Sequence, residues 1–221
     1  MNSKQVWTME TKDNERPTTY HDLVIKDGRF IGKFEEMYQL FDQPWMQDQQ
    51  PNPYSRASGI LHMQRFGIRS VVEVGCGLGY YADRIHKATG ARYVGFDVAP
   101  TAVAKAQVNF PHLDFRVDEV KNLANYKDFQ PDAILFAEVT WYVLDQLDDI
   151  FALMLEHYPG AYFVHNLVFY KGTQRYGTEH FTNLKEFMAR VPFVPVGYME
   201  ATTEQDGTIE TSSIFRIERR S

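Results

Sequence analysis

The sequence predicts an α/β protein with a seven-stranded, mostly parallel sheet, an antiparallel hairpin at its C-terminal end, and helices on both faces. From Arg69 onward, short apolar runs alternate with amphipathic stretches, which is typical of strands followed by helices. Such alternation builds right-handed crossovers and a parallel sheet. Two long strand-like runs, joined by the turn signal QDGT, then close the chain and predict the antiparallel pair. A length of 221 residues suits one domain of this kind.

The first 66 residues are expected to be a tail and a helical lid segment, and residues 67–221 the main unit of one compact protein. Residues 1 to about 20 show little periodicity, and we expect them to be loosely held. A first helix, ending at Pro44, is predicted from four apolar residues at helical spacing: Phe34, Met37, Tyr38 and Phe41. The stretch QDQQPNPYSRAS predicts a turn-rich connector, and GILHMQRF a helix that ends near Gly67.

The alternating elements of the main unit follow in order. The β-branched run SVVEV predicts a buried parallel strand, and four more strands are predicted at ARYVGFDV, LDFRV, PDAILFA and AYFVHN. Helices are predicted from Tyr80 to Thr89, from Pro100 to about Asn109 because proline suits a first turn, and at VLDQLDDIFALMLEHY and FTNLKEFMARV. Thr182 or Asn183 is the expected cap of the last helix. The closing pair is FVPVGYMEATT and IETSSIFRIE.

Composition and charge exclude several classes of partner. Hydrophobic residues make up 44% and charged residues 24% of the chain, and the formal net charge is −6. This charge argues against a broad nucleic-acid surface, and no apolar run is long enough to cross a bilayer. The N-terminus lacks the apolar core of a signal peptide, and the single cysteine, Cys76, excludes an internal disulfide. We therefore expect a cytoplasmic protein without nucleic-acid or membrane partners, and a homodimer remains open.

The most specific motif is VVEVGCGLGY, in which Gly75, Gly77 and Gly79 follow a strand directly and precede a helix. Glycine lets the backbone turn sharply and approach a ligand closely. The spacing is G-x-G-x-G, and not the G-x-G-x-x-G that seats a dinucleotide pyrophosphate on a helix N-terminus. Glu73 precedes the first glycine by two positions. It would repel a pyrophosphate, but it can accept a hydrogen bond from the cationic amino end of a bound amino acid. A tight turn without a ligand is the alternative.

Acidic residues also follow the next two predicted strands. Asp97 ends the second strand, where a carboxylate can accept hydrogen bonds from both hydroxyls of a ribose. Asp118 follows the third strand and can meet the exocyclic amine of an adenine, with Glu119 as the neighbouring candidate. For Asp118 and Glu119, a solvated acidic loop is the alternative.

The ordered series VVEVGCGLGY, GFD, VDEV and PDAILFAEV resembles the motifs of class I S-adenosylmethionine-dependent methyltransferases of the small-molecule type. The resemblance extends from about Ser70 to Asn166. It implies a Rossmann-like fold, S-adenosyl-L-methionine as cofactor and S-adenosyl-L-homocysteine as product. It further implies that the glycine turn and the acid before it hold the methionine part, and that the later acids hold the ribose and frame the adenine. The residues to which it assigns cofactor binding are Glu73, Gly75, Cys76, Gly77, Gly79, Asp97, Val98, Asp118 and Glu119.

The earlier segment FDQPW…PYSR is similar to the lid entry of small-molecule members, including N-methyltransferases that act on amino sugars. This resemblance implies that Trp45, Tyr54 and Arg56 lie near the methionine end or over the substrate. Arg56 would then pair with the cofactor carboxylate. As an alternative, Trp45 and Tyr54 are packing residues of a capping helix.

A hydroxyl acceptor would need a base, and His165, at the end of AYFVH, is the first candidate. We expect His165 on the rim where acceptors bind, and imidazole titrates near neutral pH. A histidine bonded to nearby backbone is the alternative. Glu138, after the fourth strand, either serves as the base or orders its loop. His180 is expected to enter the pocket from above, and His62 to be a packing or surface residue. No cluster has metal-ligand spacing, so no metal site is expected.

The remaining features point to a small-molecule acceptor. The stretch FAEVTWY carries neither the Asn/Asp-Pro-Pro-aromatic sequence of DNA amino-methyltransferases nor the paired glutamates of protein-arginine members. The insert LVFYKGTQRYGTE holds Phe169, Tyr170 and Tyr176, and it predicts an acceptor lid, with an ordinary surface loop as the alternative.

We therefore expect methyl transfer to a hydroxyl of a sugar or natural product. N-methylation of an amino sugar or amine is the alternative. A nicotinamide-dependent oxidoreductase, against which Glu73 and the short glycine motif count, and a non-catalytic cofactor-binding module are more distant alternatives.

Overall fold

A seven-stranded sheet is the main feature of the computed structural model, which describes residue 17 and residues 19–202 and 207–220. A small N-terminal pair consists of β1 (Ile25–Lys26) and β2 (Arg29–Phe30). The main sheet consists of β3 (Ser70–Val74), β4 (Arg92–Asp97), β5 (Asp114–Val117), β6 (Ala133–Ala137), β7 (Tyr162–Tyr170), β8 (Phe193–Thr202) and β9 (Thr208–Arg219).

The strand order is β5-β4-β3-β6-β7-β9-β8. The first five of these strands are parallel, and β9 runs antiparallel to both β7 and β8. This arrangement confirms the predicted Rossmann-like fold class, including the seven strands and the antiparallel end. The turn predicted between β8 and β9 at QDGT lies partly outside the described residues.

Six α-helices accompany the sheet in the described part of the chain: α1 (Phe34–Leu40), α2 (Pro53–Arg65), α3 (Tyr80–Thr89), α4 (Pro100–Asn109), α5 (Leu147–His157) and α6 (Leu184–Arg190). Short 3-10 helices cover Tyr20–Leu23, Pro44–Gln49, Val120–Phe129, Thr140–Tyr142 and Leu144–Gln146. Pro100 begins α4 as predicted. Asn183 caps α6, because its side chain accepts a hydrogen bond of 3.0 Å from the backbone N–H of Glu186.

The predicted connector before the first strand is wrong in its extent. Two short 3-10 turns cover Pro44–Gln49, with a kink at Trp45 and Met46, and α2 begins at Pro53 rather than within GILHMQRF. The Asn-Pro pair was interpreted as a turn signal, but proline also favours the first position of a helix, and Pro53 occupies that position. Tyr54 and Arg56 therefore lie on the first turn of a helix.

The fifth predicted strand is longer than expected. The strand β7 continues through Leu167–Tyr170, a stretch predicted as part of the insert, because β9 pairs with it along its whole length, from Tyr162 opposite Arg216 to Tyr170 opposite Thr208. The insert thus begins after Tyr170, and Phe169 is a core residue that is 1% exposed.

Two cores lie on opposite faces of the sheet, as strand alternation requires. Along β6, Ile134 and Phe136 belong to one core, whereas Ala133 and Leu135 belong to the other. The first core also holds Phe163, Leu167 and Phe215, and the second holds Val71, Val164 and Ile214.

The segment before β3 packs directly on the sheet. The helix α2 contacts β7, β8, β9 and α3, and α1 contacts α4. The predicted division between residues 66 and 67 falls just after α2 and stays a prediction. Residues 1–16 and 18, which we expected to be loosely held, lie outside the described residues. Within the described chain, each helix is too short or too polar to cross a membrane.

Candidate functional site

A cavity of about 330 Å³ opens at the carboxyl ends of β3, β4 and β6 and the loop after β5. Ligands bind at this edge of parallel sheets. Eight of the residues predicted to bind a cofactor line the cavity: Arg56, Glu73, Gly75, Cys76, Asp97, Val98, Asp118 and Glu119. Gly77 and Gly79 belong to the turn beneath it. Residues from the chain's first 51 positions also line it, namely Phe30, Gly32, Phe34, Tyr38, Trp45, Gln47 and Pro51.

The glycine turn requires glycine for both backbone conformation and space. Gly75 has φ +70° and Gly77 has φ +53°, in the left-handed region that L side chains rarely adopt. A Cβ at Gly75 would lie 2.7 Å from Cγ2 of Val139, and one at Gly77 would lie 2.6 Å from Nε2 of Gln47. The turn is also bonded to the end of β4, because the N–H groups of Gly75 and Cys76 both donate to the carbonyl of Phe96.

Asp97 lies buried at the end of β4, next to the turn. Its Oδ2 accepts a 3.0 Å hydrogen bond from the N–H of Gly77, and its Oδ1 accepts a 2.9 Å bond from the N–H of Ala99. Burial raises the pKa of Asp97, although these backbone donors act to lower it. Each carboxylate oxygen keeps a second acceptor site, so the side chain can still bind a hydroxyl group in the cavity.

Glu73 lies deeper, at the second position before the turn, and is only 2% exposed. It accepts a hydrogen bond from the hydroxyl of Tyr93. Burial raises the pKa of Glu73 to about 7, while the Tyr93 hydrogen bond and the charge of Arg56 act in the opposite direction. A cation placed against this carboxyl would therefore favour its ionised form.

Glu138 follows β6 with φ +65°, an unusual backbone conformation for a glutamate. Its Oε2 accepts a 2.7 Å hydrogen bond from Nδ2 of Asn52, and Nη2 of Arg56 lies 3.8 Å from its Oε1. Oε1 has no hydrogen-bond partner among the described residues. Burial raises the pKa of Glu138, with Arg56 and Asn52 lowering it and Glu210 adding to the rise.

Asp118 also bonds within its own loop. Its carboxylate accepts hydrogen bonds from the N–H of Glu119 at 2.8 Å, from Asn122 at 2.7 Å and from the hydroxyl of Tyr126 at 3.0 Å. Val98, on the adjacent loop, is 52% exposed and lines the cavity. The loop that was expected to frame an adenine is thus ordered by Asp118 itself.

Aromatic rings also line the cavity. Phe34 and Trp45 pack on Tyr142, with ring centroids 5.2 and 6.0 Å apart, and Phe30 lies 6.0 Å from the same ring. Trp45 therefore lines the cavity, and its expected position near the methionine end or over the substrate stays a prediction. Tyr54 does not line the cavity and is 55% exposed on α2, so the structure gives no support to its predicted cofactor contact.

The prediction that His165 lies on the rim is wrong. Its side chain is fully buried, its ring stacks on Phe187 at 3.9 Å, and it is absent from the cavity lining. Strand alternation along β7 points it into the core with Phe163. Its Nε2 lies 2.8 Å from Oγ1 of Thr140, and burial lowers its pKa to about 3. A histidine with these surroundings is a structural group and not a base for the acceptor.

Other predictions for the acceptor side also change. His180 does not line the cavity, and its Nε2 lies 3.8 Å from Asp145. Of the three aromatic residues of the predicted lid, Phe169 is in the core, Tyr170 is 47% exposed, and Tyr176 packs near Phe30 at 6.4 Å. His62 is buried, which confirms its interpretation as a packing residue.

Two polar residues of the site were not found by sequence reasoning. Oε1 of Gln47 accepts a 2.9 Å hydrogen bond from the N–H of Leu78 in the glycine turn, and its Nε2 donates to the hydroxyl of Tyr38 at 3.2 Å. Asn52 is the second. Neither residue belongs to a motif, and only the tertiary contact of this segment with the turn and with Glu138 reveals them. Over residues 19–202 and 207–220, no three His, Cys, Asp or Glu residues are grouped as metal ligands would be.

Comparisons with known proteins agree with this geometry. Residues 71–158 match a family model described as "Methyltransferase domain". The structure of the N-methyltransferase NodS from Bradyrhizobium japonicum WM9, in complex with S-adenosyl-l-homocysteine, is similar with a TM-score of 0.63 and 19% identity, covering 83% of this chain and 96% of that chain.

Two further solved structures share the fold. A geranyl diphosphate C-methyltransferase from Streptomyces coelicolor A3(2) has a TM-score of 0.53 and 15% identity, covering 73% of this chain and 78% of its own. The methyltransferase domain of bacterial-CtHen1-CN has a TM-score of 0.55 and 14% identity, covering 73% and 96%. A sequence search among curated proteins gives no significant match.

Proposed function

We propose that the chain is a class I S-adenosylmethionine-dependent methyltransferase and that it methylates the nitrogen of a small-molecule amine. The match of residues 71–158 to a methyltransferase-domain model and the structural likeness to NodS support the first part. The observation that carries this proposal is the carboxylate of Glu138, which lines a cavity walled by aromatic rings and whose buried Oε1 lacks a hydrogen-bond partner among the described residues. A cavity that offers both a carboxylate and aromatic rings suits an ammonium group, which binds both.

The cavity fits the cofactor that this family uses. A buried acid, an arginine and a tight glycine turn meet at one edge of the sheet. Glu73 would take the amino group of the methionine part, Arg56 its carboxylate, and Asp97 the ribose hydroxyls. Val98, Asp118 and Glu119 would frame the adenine, and the backbone from Gly75 to Gly79 would approach the methionine part closely. When bound, S-adenosylmethionine supplies an electrophilic methyl group on a sulfonium and leaves as S-adenosylhomocysteine.

Glu138 performs the proton chemistry in this proposal. An amine is protonated in water at neutral pH, and its nitrogen must lose a proton before its lone pair can attack a methyl group. Glu138 first binds the ammonium through its carboxylate and then takes the proton, which passes on to solvent. The raised pKa of Glu138 brings its basicity closer to that task.

The structure supports an oxygen acceptor less well than the sequence did. That expectation depended on His165, which is buried away from the cavity. Glu138 is the remaining candidate base, and a carboxylate is a poor base for an alcohol, whose pKa is far higher than that of an ammonium. The structurally similar NodS, at 19% identity, is an N-methyltransferase, which agrees with the proposal.

The charge of the cavity restricts the chemical class of the acceptor molecule further. Of the described residues that line it, Arg56 is the single cation, whereas five are acidic: Glu73, Asp97, Asp118, Glu119 and Glu138. Arg56 already faces Glu138 and the cofactor side. A phosphate or carboxylate on the acceptor would find no free cation there. We therefore propose a neutral or cationic acceptor, such as an amino sugar or an arylalkylamine.

The test is a release assay for S-adenosylhomocysteine with matched pairs of amines and alcohols that share one carbon skeleton. We expect turnover of amines and none of their alcohol partners, with mass spectrometry placing the methyl group on nitrogen. Methylation of the alcohols alone would overturn the proposal.

Variants of the carboxylate then test its role. Glu138→Gln should lower kcat by about 10²- to 10⁴-fold, the usual contribution of a general base, while S-adenosylhomocysteine still binds. Glu36→Gln is the control, since Glu36 is an exposed carboxylate of the same N-terminal segment that pairs with Lys33. A Glu138→Gln enzyme with the wild-type kcat would remove the carboxylate from the mechanism.

A further inference from the structure

We infer that Asn52 is a positioning residue, which holds the carboxylate of Glu138 in one orientation at the wall of the cavity. The inference rests on the proposed role of Glu138 and extends it to a residue of the N-terminal segment. No motif contains Asn52, and its distance from Glu138 along the chain is 86 residues.

The side chain of Asn52 does not make the hydrogen bond that is usual for its position in the helix. Asn52 stands at the N-cap of α2, where an asparagine side chain normally accepts a hydrogen bond from the helix's own backbone. Here no such side-chain cap forms. Instead Nδ2 donates to Oε2 of Glu138 at 2.7 Å. The backbone carbonyl of Asn52 accepts from Oγ of Ser55 at 3.1 Å and from the N–H of Arg56 at 3.3 Å, so its backbone is fixed to α2.

The contact joins two residues with left-handed backbones. Asn52 has φ +54°, which asparagine tolerates, and Glu138 has φ +65°, which glutamate rarely adopts. Such conformations persist where the surrounding structure holds them, and they concentrate at functional sites. The backbone of Glu138 is held by its N–H bond to the carbonyl of Asn166, at 2.9 Å. Asn52 holds the other end of the residue, the carboxylate.

The other groups that face Glu138 do not fix its orientation. Arg56 of α2 lies 3.8 Å from Oε1, which is a charge contact beyond hydrogen-bond distance. Glu210 of β9 adds a like charge, and its carboxylate is bonded to the N–H of Ser55. The hydroxyls of Tyr142 and Tyr170 lie within electrostatic range of the carboxylate. Among the described residues, Asn52 is therefore the one hydrogen-bond donor to the side chain of Glu138.

Asn52→Gly is the sharpest variant, because glycine adopts φ +54° freely and the substitution removes the side chain that carries the donor. Gln50→Gly is the matched control. Gln50 is exposed in the same segment and has φ +56°, but it does not line the cavity. Asn52→Asp provides a second variant that keeps a cap-forming residue but places a like charge beside Glu138. Thermal unfolding of each variant with S-adenosylhomocysteine present checks that the protein is folded.

The primary measurement is a pH titration of Glu138 by carbon NMR, on full-length protein labelled at glutamate side-chain carboxyls and bound to S-adenosylhomocysteine. Glu138→Gln assigns the resonance. Loss of the Asn52 hydrogen bond should raise the pKa of Glu138 in Asn52→Gly, and more so in Asn52→Asp, with no change in Gln50→Gly. If Glu138 titrates in both Asn52 variants as it does in the wild type, the inference is overturned.

Turnover of the best amine from the acceptor assay gives a second readout. In Asn52→Gly, the acidic limb of the pH profile of kcat should move to higher pH. The value of kcat should fall about tenfold, which is less than the fall expected in Glu138→Gln. The titration needs no acceptor. A shifted titration without turnover of any amine would support the positioning of Glu138 by Asn52. It would overturn the proposed function instead.

Discussion

Gln47 is hydrogen-bonded to Leu78, its Oε1 accepting from the backbone N–H at 2.9 Å. A residue of the N-terminal segment is thus joined to the middle of the glycine turn. The space left by Gly77 is filled by the same side chain, which would lie 2.6 Å from any added Cβ. The turn consequently depends on the N-terminal segment for its shape, and the segment depends on the turn for its position.

Loss of this link should weaken cofactor binding. In Gln47→Leu, the N–H of Leu78 loses its partner and Tyr38 loses a donor, so we expect S-adenosylhomocysteine to bind about tenfold more weakly, or by about 1.4 kcal/mol. Isothermal titration measures this effect. Gln49→Leu changes an exposed glutamine of the same 3-10 helix and should bind like the wild type. Equal affinities for the two variants would mean that the link does not contribute to binding.

Gly75→Ala should reduce stability for two separable reasons. The backbone at φ +70° disfavours alanine, and the new Cβ would meet Cγ2 of Val139 at 2.7 Å. Gly90→Ala isolates the first cost, since Gly90 has φ +67° and no neighbour within 4 Å. We expect Gly90→Ala to lower the free energy of unfolding by about 1 kcal/mol and Gly75→Ala by about 2–3 kcal/mol, measured in urea. Adding Val139→Ala to Gly75→Ala should recover part of the difference; no recovery would refute the steric contribution.

Glu73 should make the protein less stable as the pH rises. Burial raises its pKa from 4.5 to about 7, so between these values the folded protein binds more protons than the unfolded chain. The free energy of unfolding must then fall with rising pH across this window. In Glu73→Gln that contribution disappears, and at pH 8 the variant should be the more stable protein by about 3 kcal/mol at most. Urea unfolding from about pH 4.5 to 8 tests this, and parallel curves for the two proteins would show that Glu73 titrates normally.

His165 should contribute with the opposite sign. Burial lowers its pKa to about 3 from 6.5, so the unfolded chain binds more protons than the folded protein between these values. The free energy of unfolding must fall as the pH drops through the window from 6.5 to 3. His165→Gln should flatten this dependence, whereas His112→Gln, which alters a histidine with a 46% exposed side chain, should not. A His165 that titrates near its ordinary pKa of 6.5 by proton NMR would contradict the assignment.

The sequence was sufficient for the elements that local pattern determines. The run Ser70–Val74, the glycine turn and Asp97 are confirmed in position because a buried strand, a turn of glycines and a strand-ending acid are each set by neighbouring residues. The start of α2 was missed because Asn52-Pro53 is equally typical of a turn and of a helix N-terminus.

Side-chain direction and long-range contact could not be predicted in the same way. His165 was placed correctly on a strand, but strand alternation turned it into the core instead of the cavity. The roles of Gln47 and Asn52 depend on contacts with residues 31 and 86 positions away. No local pattern encodes such contacts, and the arrangement of the acceptor side therefore emerged only from the structure.

The two halves of the cavity come largely from different stretches of the chain. Residues 30–56 supply most of the aromatic wall together with Arg56, and residues 73–119 supply the glycine turn and the acids of the cofactor side. Because Gln47 and Arg56 also lie in the first stretch, changes there can alter the cofactor side as well as the aromatic wall. Acceptor choice is therefore better redesigned at single wall residues, such as Phe30 or Phe34, than by exchange of the whole stretch.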